Sequence, residues 1–151
     1  ENMRLWIENR QKTQKIDRRT VRKIAREILS VLGYPDAELS LSLVDDLQIA
    51  HLNQQYLNRA RPTDVLAFPM REGACTEVNP NLLGDVVISV ERADEEARGA
   101  GMDMPERLRQ LLVHGICHLC GYDHEEVPEE TAREMEEAER RVLSLLDEGP
   151  E

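Results

Sequence analysis

Three of the four histidines in the chain fall close together, with the spacing of metal ligands. They are His114, His118 and His124, in the segment His-Gly-Ile-Cys-His-Leu-Cys-Gly-Tyr-Asp-His. On a helix, His114 and His118 lie one turn apart and project from the same face. Gly121 can adopt a left-handed conformation, which would turn His124 back toward the other two imidazoles. Because neutral imidazoles suit a borderline-soft divalent ion, the sequence predicts one zinc ion on these three histidines.

The same spacing occurs in the long zinc motif of the metzincin proteases, His-Glu-x-x-His-x-x-Gly-x-x-His. The Glu of that motif is the general base of those enzymes, and Gly115 stands in its place here. Peptide hydrolysis by that route is therefore not expected. Three protein ligands still leave a fourth position for water, which is typical of a catalytic rather than a structural zinc site.

The helix that carries the first two histidines is predicted to be buried. At about 100° per residue, apolar side chains between residues 108 and 120 cover nearly its whole circumference. The exception is a polar stripe formed by Arg107, Gln110, His114 and His118. Unpaired buried polar groups cost about 1–3 kcal/mol each, so this stripe needs hydrogen bonds or a ligand. A metal at the floor of a cleft would meet that need.

Two further features have metal-binding or redox interpretations that the sequence does not favour. On the helical wheel, Cys117 lies about 60–100° from the histidine stripe and Cys120 lies nearly opposite it. Both cysteines are predicted to pack as small apolar residues. His51 lies apart from the other histidines and is predicted to be a surface residue.

The other elements predict a small sheet with helices packed against it. Strands are predicted at 4–8, 38–43, 65–68 and 83–90, and helices at 17–33, 45–58, 91–98, 103–120 and 128–146. The apolar stripe of the first helix is predicted to be Val21, Ile24, Ala25, Ile28, Val31 and Leu32. Residues 1–151 are expected to form a single α+β domain, with a mixed sheet of about four strands surrounded by helices.

The net charge of −11 is unevenly distributed along the chain. Residues 1–26 hold nine Lys or Arg and three acids, a local charge of +6, which leaves −17 on the rest. Both charged regions have an ordinary interpretation as solvated helix faces. The alternative is that the basic region contacts the RNA backbone, although the overall charge has the wrong sign for nucleic-acid binding to be inferred from charge alone.

The cysteine content and the hydropathy of the chain indicate the cellular compartment in which the protein is expected. An odd number of cysteines, three, suits a reducing environment. The first 19 residues lack the apolar stretch of a secretory signal, and the chain has no apolar run of membrane-spanning length. A cytoplasmic protein without a membrane segment is therefore expected.

Beyond the chemistry of the residues, three blocks of the sequence resemble the YbeY family of endoribonucleases. The most specific block is the histidine segment, His-Gly-x-x-His-Leu-x-Gly-Tyr-Asp-His, at 114–124. The second block combines Leu-Asn-Gln-Gln-Tyr at 52–56 with Pro-Thr-Asp-Val-Leu-Ala-Phe-Pro at 62–69. The third is Leu-Gly-Asp-Val-Val-Ile-Ser at 83–89. Together they span roughly residues 50 to 125.

This resemblance implies a single-metal hydrolase of single-stranded RNA that has a zincin-like metal helix. It implies a zinc ion on His114, His118 and His124, in a cleft beside a mixed sheet. It also implies a role in ribosomal RNA maturation, notably at the 3′ end of the small-subunit RNA, and in ribosome quality control. The implied partners are ribosomal RNA and the small ribosomal subunit.

One departure from the family pattern concerns an arginine. The family commonly has Arg directly after the tyrosine that corresponds to Tyr56, and that place holds Leu57 here. Arg59 and Arg61 are candidates to supply the missing charge and to offset charge developing on the phosphate. Their alternative role is that of solvated loop arginines.

Three acids are candidates to orient a metal-binding imidazole through a hydrogen bond. Asp123 stands directly before the third histidine, whereas Asp85 and Asp64 belong to the other two family blocks. Asp85 and Asp64 could equally cap nearby backbone. Two competing functions also stay open at this point: a metal hydrolase of another substrate, and a non-enzymatic ribosome-associated factor whose metal only stabilises the turn from Gly121 to His124.

Overall fold

The computed structural model describes residues 2–59, 63–70, 81–121 and 129–148, with the backbone alone at 129–132 and 148. The strands are β1 (Arg4–Asn9), β2 (Glu38–Val44), β3 (Val65–Pro69) and β4 (Leu82–Ser89). The helices are α1 (Arg18–Leu32), α2 (Asp46–Leu57), α3 (Val90–Ala100), α4 (Met104–Leu119) and α5 (Glu129–Glu148). The predicted order of elements and the α+β class are confirmed.

The four strands form one mixed sheet in the order β1-β2-β4-β3. Strands β1, β2 and β4 run parallel, and β3 pairs antiparallel with β4 at the edge. Gly84 has a φ of 139°, and a Cβ there would collide with the carbonyl oxygen of Phe68. Because only glycine tolerates both the backbone angle and this close approach, Gly84 allows β3 to pair tightly with β4.

The helix starts follow side-chain caps that are visible in the sequence. Asp17, Asp45 and Asp103 accept hydrogen bonds from backbone N–H groups in the first turns of α1, α2 and α4. Helix α3 begins one residue earlier than predicted, because Ser89 ends β4 and its hydroxyl accepts from the Arg92 N–H. One residue therefore both closes a strand and caps a helix.

The main core lies between one face of the sheet and helices α1, α4 and α5. Alternation places Leu39, Leu41 and Leu43 on this face, each at most 1 % exposed. The predicted stripe of α1 was wrong at Val31, which is 37 % exposed, whereas Leu29 is buried. Leu29 lies one turn after the buried Ala25 and shares its side of the helix, whereas Val31 lies at the opposite edge of the apolar stripe.

A smaller core lies on the opposite face of the sheet, under α2. It is formed by Val44, Ile49, Leu66 and Val87. Since Val86 faces the main core and Val87 faces this one, β4 is covered on both faces, as its apolar run predicted. Trp6, on the outermost parallel strand, stays half exposed.

The basic residues of α1 lie on its solvent side. Arg18, Arg19, Arg22, Lys23 and Arg26 are all exposed. Arg22 also donates from Nη1 to the Leu5 carbonyl oxygen at 2.9 Å, which connects α1 to β1. Among the helices of the described residues, none combines the length and the apolar character that a bilayer-spanning segment requires.

Candidate metal centre

Helix α4 has the polar stripe that the sequence predicts. Eight of its residues are buried: Leu108, Leu111, Leu112, Val113, Gly115, Ile116, Cys117 and Leu119. Arg107, Gln110, His114 and His118 are only partly buried and lie along the remaining side. The helix is thus held by its apolar surface, and its polar side chains are left to form a site.

His114 and His118 lie close together on this stripe. Their ring centres are 6.2 Å apart and their planes are inclined by 43°. On one tetrahedral zinc ion, bonds of about 2.0–2.1 Å place two imidazole ring centres about 5.3 Å apart. The observed spacing of 6.2 Å is about 1 Å wider, so the two rings would have to move slightly closer together to bind one ion.

The chain turns directly after this pair. Gly121 has a φ of 100°, and its N–H donates to the His118 carbonyl oxygen at 3.3 Å. The left-handed turn predicted at this glycine is therefore confirmed. The third predicted ligand, His124, and the neighbouring Asp123 lie outside the described residues, as does Arg61.

Gly115 packs against the sheet and not toward the polar stripe. A Cβ at this position would lie 2.9 Å from Val86 Cγ1 and 3.3 Å from Val65 Cγ2. Helix α4 therefore approaches β3 and β4 too closely for a larger side chain to fit without displacing its neighbours. A glutamate here could not serve as a general base at the histidines without a shift of the helix.

His114 opens into a cleft of about 510 Å³ between β3, α4 and α5. Its lining combines an apolar wall with several charged groups. The lining residues are Asp64, Val65, Arg107, Gln110, Leu111, His114, Glu136, Glu139, Arg140 and Leu143. A concave site with a few convergent polar groups is typical of ligand-binding and active sites.

One side of the cleft is organised around Arg107. Its guanidinium lies 3.3 Å from Asp64 Oδ2 and 3.0 Å from Glu96 Oε1, and it donates to Gln110 Oε1 at 2.7 Å. Burial, together with the nearby charge of Asp64, raises the pKa of Glu96. Asp64 thus lies in the same cleft as His114 but is bonded to an arginine rather than to an imidazole.

The His114 ring is bonded to a carboxylate from α5. Its Nδ1 lies 3.0 Å from Glu139 Oε1. This hydrogen bond raises the pKa of His114, against the opposing effect of burial. Glu139 was not among the acids selected as candidates from the sequence. The feature that could have identified it is its position as an acid on the otherwise apolar side of the last helix.

Two other candidate residues are not brought to the histidines. Val86 contacts the Gly115 side of α4, so the adjacent Asp85 lies on the opposite face of the sheet, where it is exposed. The prediction that Asp85 orients an imidazole is therefore not supported, because strand alternation turns it away. Arg59 is exposed beyond the end of α2, and its N–H donates to the Asn53 carbonyl oxygen at 3.2 Å.

Cys117 in α4 and Cys120 at its C-terminal cap pack against the core, as predicted. Cys117 is fully buried and Cys120 is partly buried. Burial, reinforced by the nearby Glu139 charge, raises the pKa of the Cys117 thiol to about 12.

We expect Cys117 to resist alkylation in the native protein. With a thiol pKa of about 12, only about one molecule in ten thousand is the reactive thiolate at pH 8. Iodoacetamide labelling followed by peptide mass spectrometry should modify Cys120 well before Cys117, and urea should abolish the difference. Equal labelling rates in the folded protein would contradict this expectation.

Comparison with known proteins supports the resemblance seen in the sequence. Residues 6–147 match the model of the family described as endoribonuclease YbeY. Proteins named endoribonuclease YbeY from Geobacter sulfurreducens and Aquifex aeolicus are 48 % and 43 % identical to this chain. These alignments cover 97 % and 89 % of this chain and 98 % and 87 % of the two relatives, respectively.

A solved structure shares the fold. The solution structure of TM1509 from Thermotoga maritima superimposes with a TM-score of 0.61 at 23 % identity. The match covers 97 % of this chain and 93 % of that one. With the family model spanning nearly all of the sequence, the chain belongs to the YbeY family.

Proposed function

We propose that this protein is a zinc-dependent endoribonuclease that cleaves single-stranded RNA in the cytoplasm. The observation that carries the proposal is the pair His114 and His118, on the polar stripe of a buried helix in a chain of this family. The name shared by the relatives supports hydrolysis of RNA. The resemblance in sequence extends the proposal to ribosomal RNA, notably the 3′ end of the small-subunit RNA, with the small ribosomal subunit as partner.

In this proposal, His114, His118 and His124 hold the ion. When bound, zinc supplies Lewis-acid polarisation of a phosphoryl oxygen. Neutral imidazoles are the appropriate donors, since they leave the net charge of the ion available to an anionic substrate. His124 enters the ligand set from the sequence pattern, whereas His114 and His118 are also supported by their neighbouring positions on α4, with ring centres 6.2 Å apart.

The arginines of the cleft differ in how available their charges are to an RNA phosphate. The Arg107 charge is offset by Asp64 and Glu96, so Arg107 mainly holds the wall of the cleft together. Arg140 lines the same cleft, is exposed, and its Nε donates to the Glu136 carbonyl oxygen at 3.5 Å. Its guanidinium is therefore available to a phosphate. Arg59 and Arg61 stay candidates for phosphate contact from the loop after α2.

The alternative of a peptide hydrolase is not favoured. Gly115 occupies the position of the protease glutamate and faces Val65 and Val86 on the sheet. The closely related chains are named as endoribonucleases, and the matches cover nearly the full length of this chain.

Metal removal and restoration test the proposed function. Protein stripped with a chelator should not cleave a single-stranded RNA, and stoichiometric zinc should restore cleavage because it rebuilds the Lewis-acid site. The same strand annealed to its complement should be cut more slowly, and this comparison is the matched substrate control. Undiminished cleavage by the metal-free protein would overturn the role of zinc, and absence of cleavage at any metal content would overturn the nuclease itself.

A further inference from the structure

We propose that Glu139 is a positioning residue that fixes the His114 ring with Nε2 toward the metal. The inference rests on the proposed function for the identity of the ion, but the contact itself is structural: His114 Nδ1 lies 3.0 Å from Glu139 Oε1. An ionised carboxylate only accepts hydrogen bonds, so Nδ1 must carry the proton. The neutral ring then has its lone pair on Nε2, which is the nitrogen left for a metal.

Glu139 occupies an unusual position for an acid. Helix α5 packs through Met135, Ala138, Val142 and Leu146, all of which are buried. Glu139 lies on the same side of the helix, one turn after Met135, and its side chain is only 18 % exposed. Burying a carboxylate is costly unless it is paired, so its place on this face requires a specific partner. The His114 ring provides that partner.

The register of α5 against α4 is fixed by more than this contact. Arg109 Nη1 on α4 lies 2.8 Å from Asp147 Oδ1 near the end of α5. Leu111 and Leu143, one from each helix, form the apolar wall of the cleft beside His114. Met135 and Val142, which are buried on either side of Glu139 in the same helix, hold its backbone in place, so the hydrogen bond limits rotation of the ring.

Glu139 and Asp64 both line the cleft but have different partners. Asp64 lines the same cleft, but its carboxylate is bonded to Arg107 at 3.3 Å. We therefore expect Glu139 to act through its hydrogen bond to one nitrogen of the His114 ring, and not merely through the negative charge that it adds to the cleft. Carboxylates that hold the second nitrogen of a metal-binding histidine raise metal affinity in this way.

The first test measures the tautomer without any metal. In protein with ¹⁵N-labelled histidine, at a pH where titration shows the His114 ring to be neutral, His114 should show Nδ1 protonated and Nε2 bare. Glu139→Ala should shift His114 substantially toward the Nε2–H form, and Glu139→Gln, which keeps an acceptor oxygen, should preserve the native tautomer. Glu137→Ala removes an exposed acid from the same helix and is the matched control. An unchanged tautomer in Glu139→Ala would overturn the proposal.

The second test measures zinc affinity by competition with a chromogenic chelator. Glu139→Ala should weaken zinc binding about 10- to 100-fold, Glu139→Gln should weaken it less, and Glu137→Ala should bind as the wild type does. Equal affinity in the wild type and Glu139→Ala would overturn the positioning role even if the enzyme is active. If the wild type binds no zinc, the proposed function fails, whereas the tautomer measurement still decides the role of Glu139.

Discussion

Replacing His114 or His118 with alanine is expected to abolish zinc retention and to lower RNA cleavage by about a hundredfold or more. Each substitution removes one of the two imidazoles whose ring centres lie 6.2 Å apart, and two remaining ligands hold zinc far more weakly than three. The measurements are zinc content after gel filtration and the cleavage rate of a labelled single-stranded RNA.

The matched control for these variants is His51→Ala. His51 is exposed on α2, as the sequence predicted, and removing it changes the histidine count without touching α4. This variant should keep its zinc and its cleavage rate. A His114→Ala protein that is folded, free of zinc and fully active would show that the metal takes no part in the chemistry.

The second large effect is expected at Gly115. Gly115→Glu would place a charged side chain between α4 and the sheet, where even a Cβ would lie 2.9 Å from Val86 Cγ1. Burying an unpaired carboxylate there should cost several kcal/mol, a large part of the total stability of about 5–15 kcal/mol typical of such domains. Urea unfolding followed by circular dichroism would measure the loss. Introducing the glutamate of the protease motif should therefore strongly destabilise the protein rather than create a peptidase.

A glycine elsewhere in the molecule provides the comparison. A Cβ added to Gly99, in α3, would have no contact within 4 Å among the described residues beyond its own helix backbone and chain neighbours. Gly99→Ala should therefore be neutral or stabilise by up to about 1 kcal/mol. Gly115→Ala should be destabilising by about 1 kcal/mol, because crowding against the stiff Val86 exceeds the gain in helix propensity. A Gly115→Glu variant that melts like the wild type and hydrolyses peptides would refute this account of the helix–sheet contact.

Local signals in the sequence were sufficient for most of the fold. The caps Asp17, Asp45 and Asp103 and the turn at Gly121 act within a few residues of themselves, so their neighbours in the chain define them. The polar stripe of α4 was equally readable, since a helix that is apolar on every other side must bury those sides.

The partners of the histidines depend on tertiary packing and were predicted less well. Asp85 belongs to a family block, yet the pleat of β4 turns it to the face opposite Gly115, as alternation from Val86 would have indicated. Glu139 is one of many acids in α5. Its inward position becomes clear only when the phase of that helix is set by Met135 and Val142 against the core. The periodicity of apolar residues identifies the buried face of a helix, but it does not show which side chains of other elements that face contacts.

The cleft is assembled from parts of the chain that are far apart. Asp64 precedes β3, Arg107 and His114 belong to α4, and Glu139 belongs to α5. If α5 detached on its own, the histidine pair would still lie on α4, but Glu139, Arg140 and Leu143 would leave the cleft. A chain that has not yet docked its last helix would therefore already contain the histidines proposed to bind the metal, but it would lack one wall of the cleft. We expect the ability to cut RNA to appear only when α5 has packed against α4.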